Sequence, residues 1–243
     1  MPEGPTIVIL TEETAKFTGK KILAVKGNST IDQLRLVNKK VIALKSWGKQ
    51  FLICFDKFTV RVHFLMFGSY LIDAEKDREP RLSLKFRNGS INLYSCSIKV
   101  LEGNYKELYD LSGDLMSKKW DPKKAKAKLK KIPDEMICDA LLEQDIFAGL
   151  GNIIKNEVLY RVRLHPESKT GKIPDTKLRT LIKESRNYSF EFLKWKKKFV
   201  LKKHWLAHTK KICLRCNLPF TKKQTGVKKR RSFYCENCQK RYK

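Results

Sequence analysis

Four cysteines near the end of the sequence have a spacing that suits a metal ion. Cys213 and Cys216 form one Cys-x2-Cys pair, and eighteen residues later Cys235 and Cys238 form a second. Each pair turns two sulfur atoms to one side of a tight turn, so two pairs joined by a hairpin can enclose a tetrahedral Zn²⁺. We therefore predict one structural zinc ion per chain. Two disulfides are the alternative in an oxidising compartment, and a catalytic zinc is disfavoured because four thiolates leave no open position.

The opening residues, MPEGP, offer a different reactive group. A proline after Met1 permits removal of that methionine, which would leave a secondary amine at Pro2. An α-amine has a pKa of about 8, and the positive end of a helix predicted over residues 5–18 would lower it further. Such an amine can attack an electrophilic carbon and form a Schiff base, with Glu3 beside it to move a proton. Taken alone, these residues favour an ordinary flexible terminus.

Positive charge is concentrated in the last part of the sequence. The 243 residues include 53 Lys and Arg against 25 Asp and Glu, for a formal net charge of +28. Residues 191–243 hold eighteen of the basic residues and only two acidic ones. A solvated surface normally mixes both signs, so this excess indicates a polyanionic partner, although RNA-binding proteins have the same balance. His204 and His208, four residues apart, are expected to share a helix face and to pack or contact phosphate.

The elements that carry these residues change in character along the chain. Short strand-like segments, rich in β-branched and aromatic residues, predict an antiparallel sandwich up to about residue 115, with a hairpin turn at Asn88-Gly89. Its predicted strands are 21–25, 40–47, 50–55, 58–67, 69–73 and those that flank the hairpin. Helical segments follow: 122–131, 136–144, one that begins at Asn152, and a long one over 174–199. We predict an α+β multidomain chain with boundaries at 1–118, 119–208 and 209–243.

The remaining features limit the class of protein. Cys54, Cys96 and Cys138 stand singly in apolar sequence, which is typical of buried, reduced thiols in an intracellular protein, cytoplasmic or in the nucleoid if bacterial. No apolar stretch approaches the roughly 18 residues of a membrane-spanning helix, and the first 30 residues lack the pattern of a secretory signal. We expect no membrane partner.

Four segments in order along the chain resemble the formamidopyrimidine-DNA glycosylase/endonuclease VIII family. They are MPEGP, SWGKQ at 46–50, LLEQDIFAGLGNIIKNE at 141–157 and RRSFYCENCQK at 230–240, and the first is more similar to the endonuclease VIII branch. The resemblance implies an N-terminal β-sandwich with an N-terminal helix, a helix–two-turn–helix domain and a C-terminal zinc finger, with DNA in the cleft between the halves. It also implies a monomer that acts on damaged double-stranded DNA.

The resemblance further implies a bifunctional glycosylase and abasic-site lyase of base excision repair. The amine of Pro2 would attack C1′ of a damaged nucleotide, expel the base and cleave the strand by β,δ-elimination. Glu3 carries over as the general acid and base, and Lys49, in a Gly-Lys turn between two strands, as a phosphate-binding catalytic lysine. Asn152, at a helix N-terminus, and Arg230 carry over as contacts to DNA, and Arg231, next to Arg230, is the fallback assignment. Met66 carries over as the side chain that fills the gap left by an extruded base.

Several of these positions have plainer interpretations. Asn152 could be an ordinary helix cap, Arg230 a solvated surface residue, and Met66 a core residue. The sequence also departs from the family pattern: Thr6 stands where members often have Glu, and Ile98-Lys99-Val100 stands in a loop where the formamidopyrimidine branch has Arg-Arg-Phe. These departures favour oxidised pyrimidines, formamidopyrimidines or abasic sites over 8-oxoguanine.

Two other classes of function remain open. The chain could be a non-catalytic protein that binds damaged DNA, but such a protein has no need of Pro2 and Glu3. It could be an RNA-binding zinc-ribbon protein, which the helix–two-turn–helix segment disfavours.

Overall fold

The computed structural model describes residues 2–243, and the chain divides into two compact units, Met1–Asp110 and Leu111–Lys243. The first unit is dominated by antiparallel strands and the second by helices, followed by a small hairpin. This confirms the predicted α+β class, with an N-terminal antiparallel sheet, a helical region and a cysteine-bearing hairpin. The division into three domains at residues 118 and 208 stays a prediction. No helix in residues 2–243 is long and apolar enough to cross a membrane.

The first unit contains one helix of ten residues and a six-stranded sheet with strand order β1-β5-β6-β4-β3-β2. Every neighbouring pair in this sheet is antiparallel. The elements are α1 (Gly4–Glu13), β1 (Ala24–Lys26), β2 (Ala43–Trp47), β3 (Gln50–Cys54), β4 (Phe58–Ile72), β5 (Leu82–Phe86), β6 (Gly89–Glu102) and the short helix α2 (Tyr105–Leu108).

Two long strands, β4 and β6, connect the two halves of this sheet. The pairing register between them shifts between Phe64 and Ser69, which makes a bulge, and Ser95 on the facing strand has a positive φ of 49°. Strand β3 pairs with the part of β4 before the bulge, and β5 pairs with the beginning of β6. Buried side chains from both halves belong to one hydrophobic cluster together with Ile7 of α1, so the halves enclose a common core.

Three local predictions for this unit need correction. The segments 58–67 and 69–73 form the single strand β4, because the bulge absorbs the irregularity without ending the strand. The hairpin turn lies on Arg87-Asn88, and Gly89, with φ 137°, already belongs to β6. Residues 98–100, expected in a loop, continue β6 and pair with β4. In addition, α1 ends at Glu13, five residues earlier than predicted, and a 3-10 turn follows.

The second unit is built around two packed helices, α5 (Asn152–Arg161) and α6 (Asp175–Lys197). Before them come α3 (Pro122–Lys130), whose first amides are capped by the Asp121 carboxylate, and the single turn α4 (Ile137–Ala140), far shorter than predicted. After them come the antiparallel strands β7 (Thr221–Thr225) and β8 (Arg230–Tyr234). The predicted starts of α5 and α6 are confirmed to within a residue.

Candidate functional site

Pro2 and Glu3 stand immediately before the first helical residue of α1. Pro2 is half-buried and Glu3 is only 1% exposed, and the Glu3 carbonyl accepts the amide of Thr6 at 2.8 Å. Glu3 is the N-cap residue in an extended conformation, but its side chain does not cap the helix. The structure therefore places a buried carboxylate beside Pro2, at the positive end of the helix.

Lys49 lies in a two-residue turn, as the sequence predicts. Trp47 pairs with Gln50 across the hairpin of β2 and β3, and Gly48 takes the left-handed conformation with φ 53° that such a tight turn requires. The indole N–H of Trp47 donates to the Asp110 carbonyl at 3.0 Å, and Tyr109 donates to the Gln50 side chain at 2.7 Å. Helix α1 packs against β2 and β3, so the elements that carry Pro2, Glu3 and Lys49 form one packed group.

His63 is a titratable residue of this group that the sequence did not indicate. It lies on β4 directly opposite Gln50, the residue after Lys49. Burial lowers the pKa of His63, and the positive charges of Lys49 and Arg61 lower it further. Its imidazole therefore gives up its proton more readily than a free histidine does, and it lies next to a cationic turn. The only sequence signal for it is its place in a strand made mostly of apolar residues.

Met66 is exposed, which rules out the core interpretation. Leu65, Met66 and Phe67 occupy the bulge of β4 and are 51%, 57% and 83% exposed. Three consecutive exposed apolar side chains are unusual and indicate a surface that another molecule covers. Of these three residues, only Met66 was indicated by the sequence.

Asn152 begins α5 but does not cap it. Gly151 is the N-cap residue, and the Asn152 side-chain amide instead donates to the Arg231 carbonyl at 3.0 Å. The Asn152 Oδ1 atom is buried and has no hydrogen-bond partner in the described part of the chain. The turn before α5 is fixed by Gln144, which accepts the Gly149 amide at 3.1 Å. The helix-cap interpretation of Asn152 is therefore wrong.

The next polar residues of α5 are buried and bind the C-terminal segment. Lys155, fully buried, donates to the Ser232 hydroxyl at 2.9 Å, and Asn156 accepts the Phe233 amide at 3.1 Å. The Glu157 carboxylate accepts three successive backbone amides, those of residues 206, 207 and 208, at 2.7–2.9 Å. Burial raises the pKa of Glu157, and these three amides oppose that rise. This helix thus holds strand β8 and the segment before the cysteines.

Arg230 and Arg231 are the first residues of β8. They follow the tip of the β7–β8 hairpin, which is hydrogen-bonded to α4. The Arg231 side chain is exposed while its carbonyl accepts the side chains of both Asn152 and Asn156, and Arg230 is half-buried. At the tip, the buried Asp139 carboxylate accepts the amides of residues 227 and 228 at 2.7 and 3.2 Å. The backbone of these arginines is therefore anchored from two sides.

The four cysteine sulfurs lie within 4.8 Å of one another, in residues Cys213, Cys216, Cys235 and Cys238. Four sulfurs at about 2.3 Å from a tetrahedral ion are about 3.8 Å apart, so this cluster is compact enough to hold a metal. Tyr160 of α5 contacts the Cys213 sulfur at 3.5 Å, and Asn237 donates to the Cys216 sulfur at 3.3 Å. Such outer contacts orient the sulfur ligands of a metal.

His204 and His208 do not share a helix face. The 3-10 turn that contains His204 ends there, and His208 lies beyond it. His204 stacks on Trp195, with ring centroids 4.1 Å apart, while His208 contacts the Asn156 side chain at 3.3 Å. Both histidines pack within the unit, and neither belongs to the four-cysteine cluster.

Two protein-family models match the chain. The formamidopyrimidine-DNA glycosylase N-terminal domain matches residues 1–96, and the formamidopyrimidine-DNA glycosylase H2TH domain, the helix–two-turn–helix region, matches residues 111–196. The first match contains the Pro2, Glu3 and Lys49 group, and the second contains α3 to α5 and nearly all of α6.

Similar proteins and structures agree with these matches. Endonuclease 8-like 3 of Mus musculus is 30% identical over 217 residues, covering 85% of this chain and 36% of that protein. The chain thus spans little more than a third of that relative's length. Formamidopyrimidine-DNA glycosylase of Carboxydothermus hydrogenoformans is 26% identical, covering 99% of this chain and all of that one.

Solved structures share the fold at low sequence identity. A viral DNA glycosylase superposes with a TM-score of 0.85 at 20% identity, covering 98% of this chain and 100% of that one. Formamidopyrimidine-DNA glycosylase of Lactococcus lactis, solved with abasic-site DNA, has the same TM-score and coverage at 22% identity. These likenesses show the fold.

Proposed function

Because the chain belongs to the formamidopyrimidine-DNA glycosylase/endonuclease VIII family, we propose that it excises oxidised bases from double-stranded DNA and cleaves the strand at the abasic site. The observation that carries this proposal is the pairing of Pro2 with the buried Glu3 at the first turn of α1. Binding DNA alone requires neither a nucleophilic amine nor a carboxylate beside it that can transfer a proton. We propose that Pro2 and Glu3 are catalytic residues and that Lys49 binds a phosphate beside the lesion.

In the proposed reaction, the Pro2 nitrogen, freed by removal of Met1, forms a bond to C1′ of the damaged nucleotide. The C1′–N bond breaks, and the base leaves with that electron pair and takes up a proton. Opening of the sugar ring gives an iminium ion between Pro2 and C1′, with Glu3 as the proton donor and acceptor. The iminium makes the C2′ proton acidic, so its loss expels the 3′ phosphate, and a second elimination expels the 5′ phosphate.

Residues of both units supply the DNA contacts in this proposal. Asn152 uses one of its two amide hydrogens on the Arg231 carbonyl, which leaves the other to donate to a phosphate. Arg230 and Arg231, at the start of the anchored strand β8, would contact the backbone of the duplex. Exposed Met66 would enter the gap that an extruded nucleotide leaves, since apolar side chains fill such gaps.

We propose that the four-cysteine cluster holds one structural Zn²⁺. Four thiolates match the donor set of structural zinc sites, and the ion would crosslink the two Cys-x2-Cys turns. With the ion bound, the hairpin that carries Arg230 would keep its position relative to Tyr160 of α5.

Oxidised pyrimidines are the favoured lesions in this proposal. Residues 98–100 belong to strand β6, paired with β4, and so provide no loop with arginine and phenylalanine side chains. Excision rates on duplexes with a single 5-hydroxyuracil or a single 8-oxoguanine test this preference. Faster removal of 8-oxoguanine would contradict it.

Borohydride trapping on a duplex with one abasic site tests the catalytic proposal. We expect a covalent adduct that peptide mass mapping assigns to Pro2, because borohydride reduces the iminium to a stable amine. A variant with an uncleaved N-terminal extension should bind the same duplex without forming the adduct, and Glu3→Gln should slow its formation. An adduct on a lysine would refute the role of Pro2. Binding without any adduct, with Pro2 confirmed as the first residue, would indicate a non-catalytic protein that binds damaged DNA.

A further inference from the structure

A groove of about 680 Å³ lies between α3 and α6 in the second unit, away from the residues assigned above. Trp120, Pro122 and Ile182 supply apolar parts of its lining. A cavity of this size and mixed lining is typical of a site that holds a ligand or an anchoring side chain of a partner. The proposed function does not use it.

Five cationic side chains also line the groove: Lys123, Lys126, Arg179, Lys183 and Arg186. The three from α6 lie at positions i, i+4 and i+7 and therefore share one face of that helix. Two of the five are engaged within the unit, since Lys126 pairs with Asp175 at 2.6 Å and Arg186 donates to the Ser117 carbonyl at 3.0 Å.

The other three cations have no acidic partner. Across residues 2–243, no ion pair involves the side chain of Lys123, Arg179 or Lys183, and all three residues are exposed. They line the same cavity from two helices, so the groove has an excess of positive charge that an acidic ligand would complement. The charge of the groove thus calls for an acidic ligand.

The apolar part of the lining favours a ligand that also carries an apolar group. Trp120 is half-buried, with its ring 6.0 Å from that of Phe147, and Ile182, in the third turn of α6, is 2% exposed. A DNA duplex could place phosphates near the cations, but its convex surface has no apolar group that reaches into a groove. A peptide can supply both features, because carboxylates and an apolar side chain alternate along it.

We propose that this groove binds a short acidic segment of a partner protein. One large apolar side chain of the segment, Leu or Phe, packs between Trp120 and Ile182, and Asp or Glu residues on either side of it meet Lys123, Arg179 and Lys183. The strong positive charge of the whole chain attracts such a segment and speeds its encounter with the groove.

The test uses a fluorescein-labelled acidic peptide of about twelve residues, rich in Asp and Glu, with Leu and Phe four positions apart. Fluorescence anisotropy measures its binding to the full zinc-loaded chain. The groove variant is Lys123→Glu, Arg179→Glu and Lys183→Glu. The control variant reverses three exposed lysines of the same unit that do not line the groove and has the same net charge: Lys131→Glu, Lys172→Glu and Lys202→Glu.

We expect saturable binding that the groove variant weakens at least about tenfold and the control variant less than about threefold. Replacing the Leu and Phe of the peptide by Ser should also weaken binding about tenfold, since the apolar contact is lost. All the substituted residues are exposed, so both variants should keep the wild-type circular dichroism and melting temperature.

Three outcomes would overturn the proposal. The first is no saturable binding at about 100 µM protein, and the second is equal weakening by the two variants, which would indicate general attraction to a basic chain. The third is a selective loss of single- or double-stranded DNA binding in the groove variant without loss of the peptide, which would assign the groove to nucleic acid.

Discussion

The hairpin tip beyond β7 donates two amides to a buried carboxylate on α4, and replacing that carboxylate tests how much it contributes to holding the tip. Lys228 of the tip also pairs with Glu143. Asp139 is 2% exposed, and its two oxygens accept the amides of Val227 and Lys228 at 2.7 and 3.2 Å. Gly226 approaches so closely, with φ 70°, that a Cβ atom there would lie 2.0 Å from an Asp139 oxygen. The variant Asp139→Asn keeps the shape of the side chain and removes its charge and one acceptor.

The expected cost follows from these contacts. Asparagine can accept one of the two amides with its oxygen, but its NH₂ group then faces the other N–H. A hydrogen bond to a charged group contributes about 1.5–3 kcal/mol, and an unsatisfied buried amide adds to the loss. We expect about 3 kcal/mol for local opening of the tip, which is about a hundredfold in the opening equilibrium.

Amide hydrogen exchange of residues 227 and 228 measures this opening directly. Protection of both amides should fall about a hundredfold in Asp139→Asn and remain at the wild-type level in Asp134→Asn, whose side chain is 88% exposed. Gly226→Ala should give a similar loss, because the added methyl group displaces the Asp139 carboxylate. A decrease of less than about threefold in Asp139→Asn would refute the view that this carboxylate holds the tip.

Three other predictions follow from the same structure. Burial and the nearby charge of Lys155 lower the pKa of His208 from 6.5 to about 4. As the pH falls, the His208 imidazole is therefore protonated in the unfolded chain before it is in the folded one, and stability is lost between pH 6.5 and about 4. Urea denaturation at pH 7 and 4.5 should show this loss, up to about 3 kcal/mol in full, and His208→Asn should lose less; an equal loss would contradict the pKa shift. Cys216→Ser should leave well under one zinc per chain after dialysis, measured by mass spectrometry, and a full complement of zinc would exclude Cys216 as a ligand. Met66→Ser should change the free energy of unfolding by less than about 0.5 kcal/mol while slowing base excision, and a large destabilisation would return Met66 to the core.

Residues that act through local spacing could be predicted from the sequence. The two Cys-x2-Cys pairs predict a compact cluster because each pair needs only its own turn, and the four sulfurs do lie together. The Gly-Lys turn at 48–49 was predicted for the same reason, since a glycine between two strands fixes a tight hairpin. The start of α5 at Asn152 is marked by the glycines before it.

Contacts between distant segments could not be predicted in this way. Charged residues are rarely buried, so Lys155 and Glu157 would ordinarily be assigned to a helix surface, yet both are fully buried against residues 49–77 positions away. The spacing of His204 and His208 suggested one helix face, but Phe199, with φ 58°, already leaves the helical conformation. The exposure of Met66 depends on a bulge that alternation alone does not indicate.

The buried polar face of α5 has a consequence for the order in which the protein is made. Lys155, Asn156 and Glu157 are satisfied by residues 206–208 and 231–233, which the ribosome adds long after the helix. Before those residues are synthesised, packing α5 would bury the charges of Lys155 and Glu157 without partners. The helix therefore cannot complete its packing while α6 is being synthesised. The second unit can therefore complete its folding only after its last segment has been synthesised. A nascent chain halted before residue 206 would have an incompletely packed core and would be prone to aggregation.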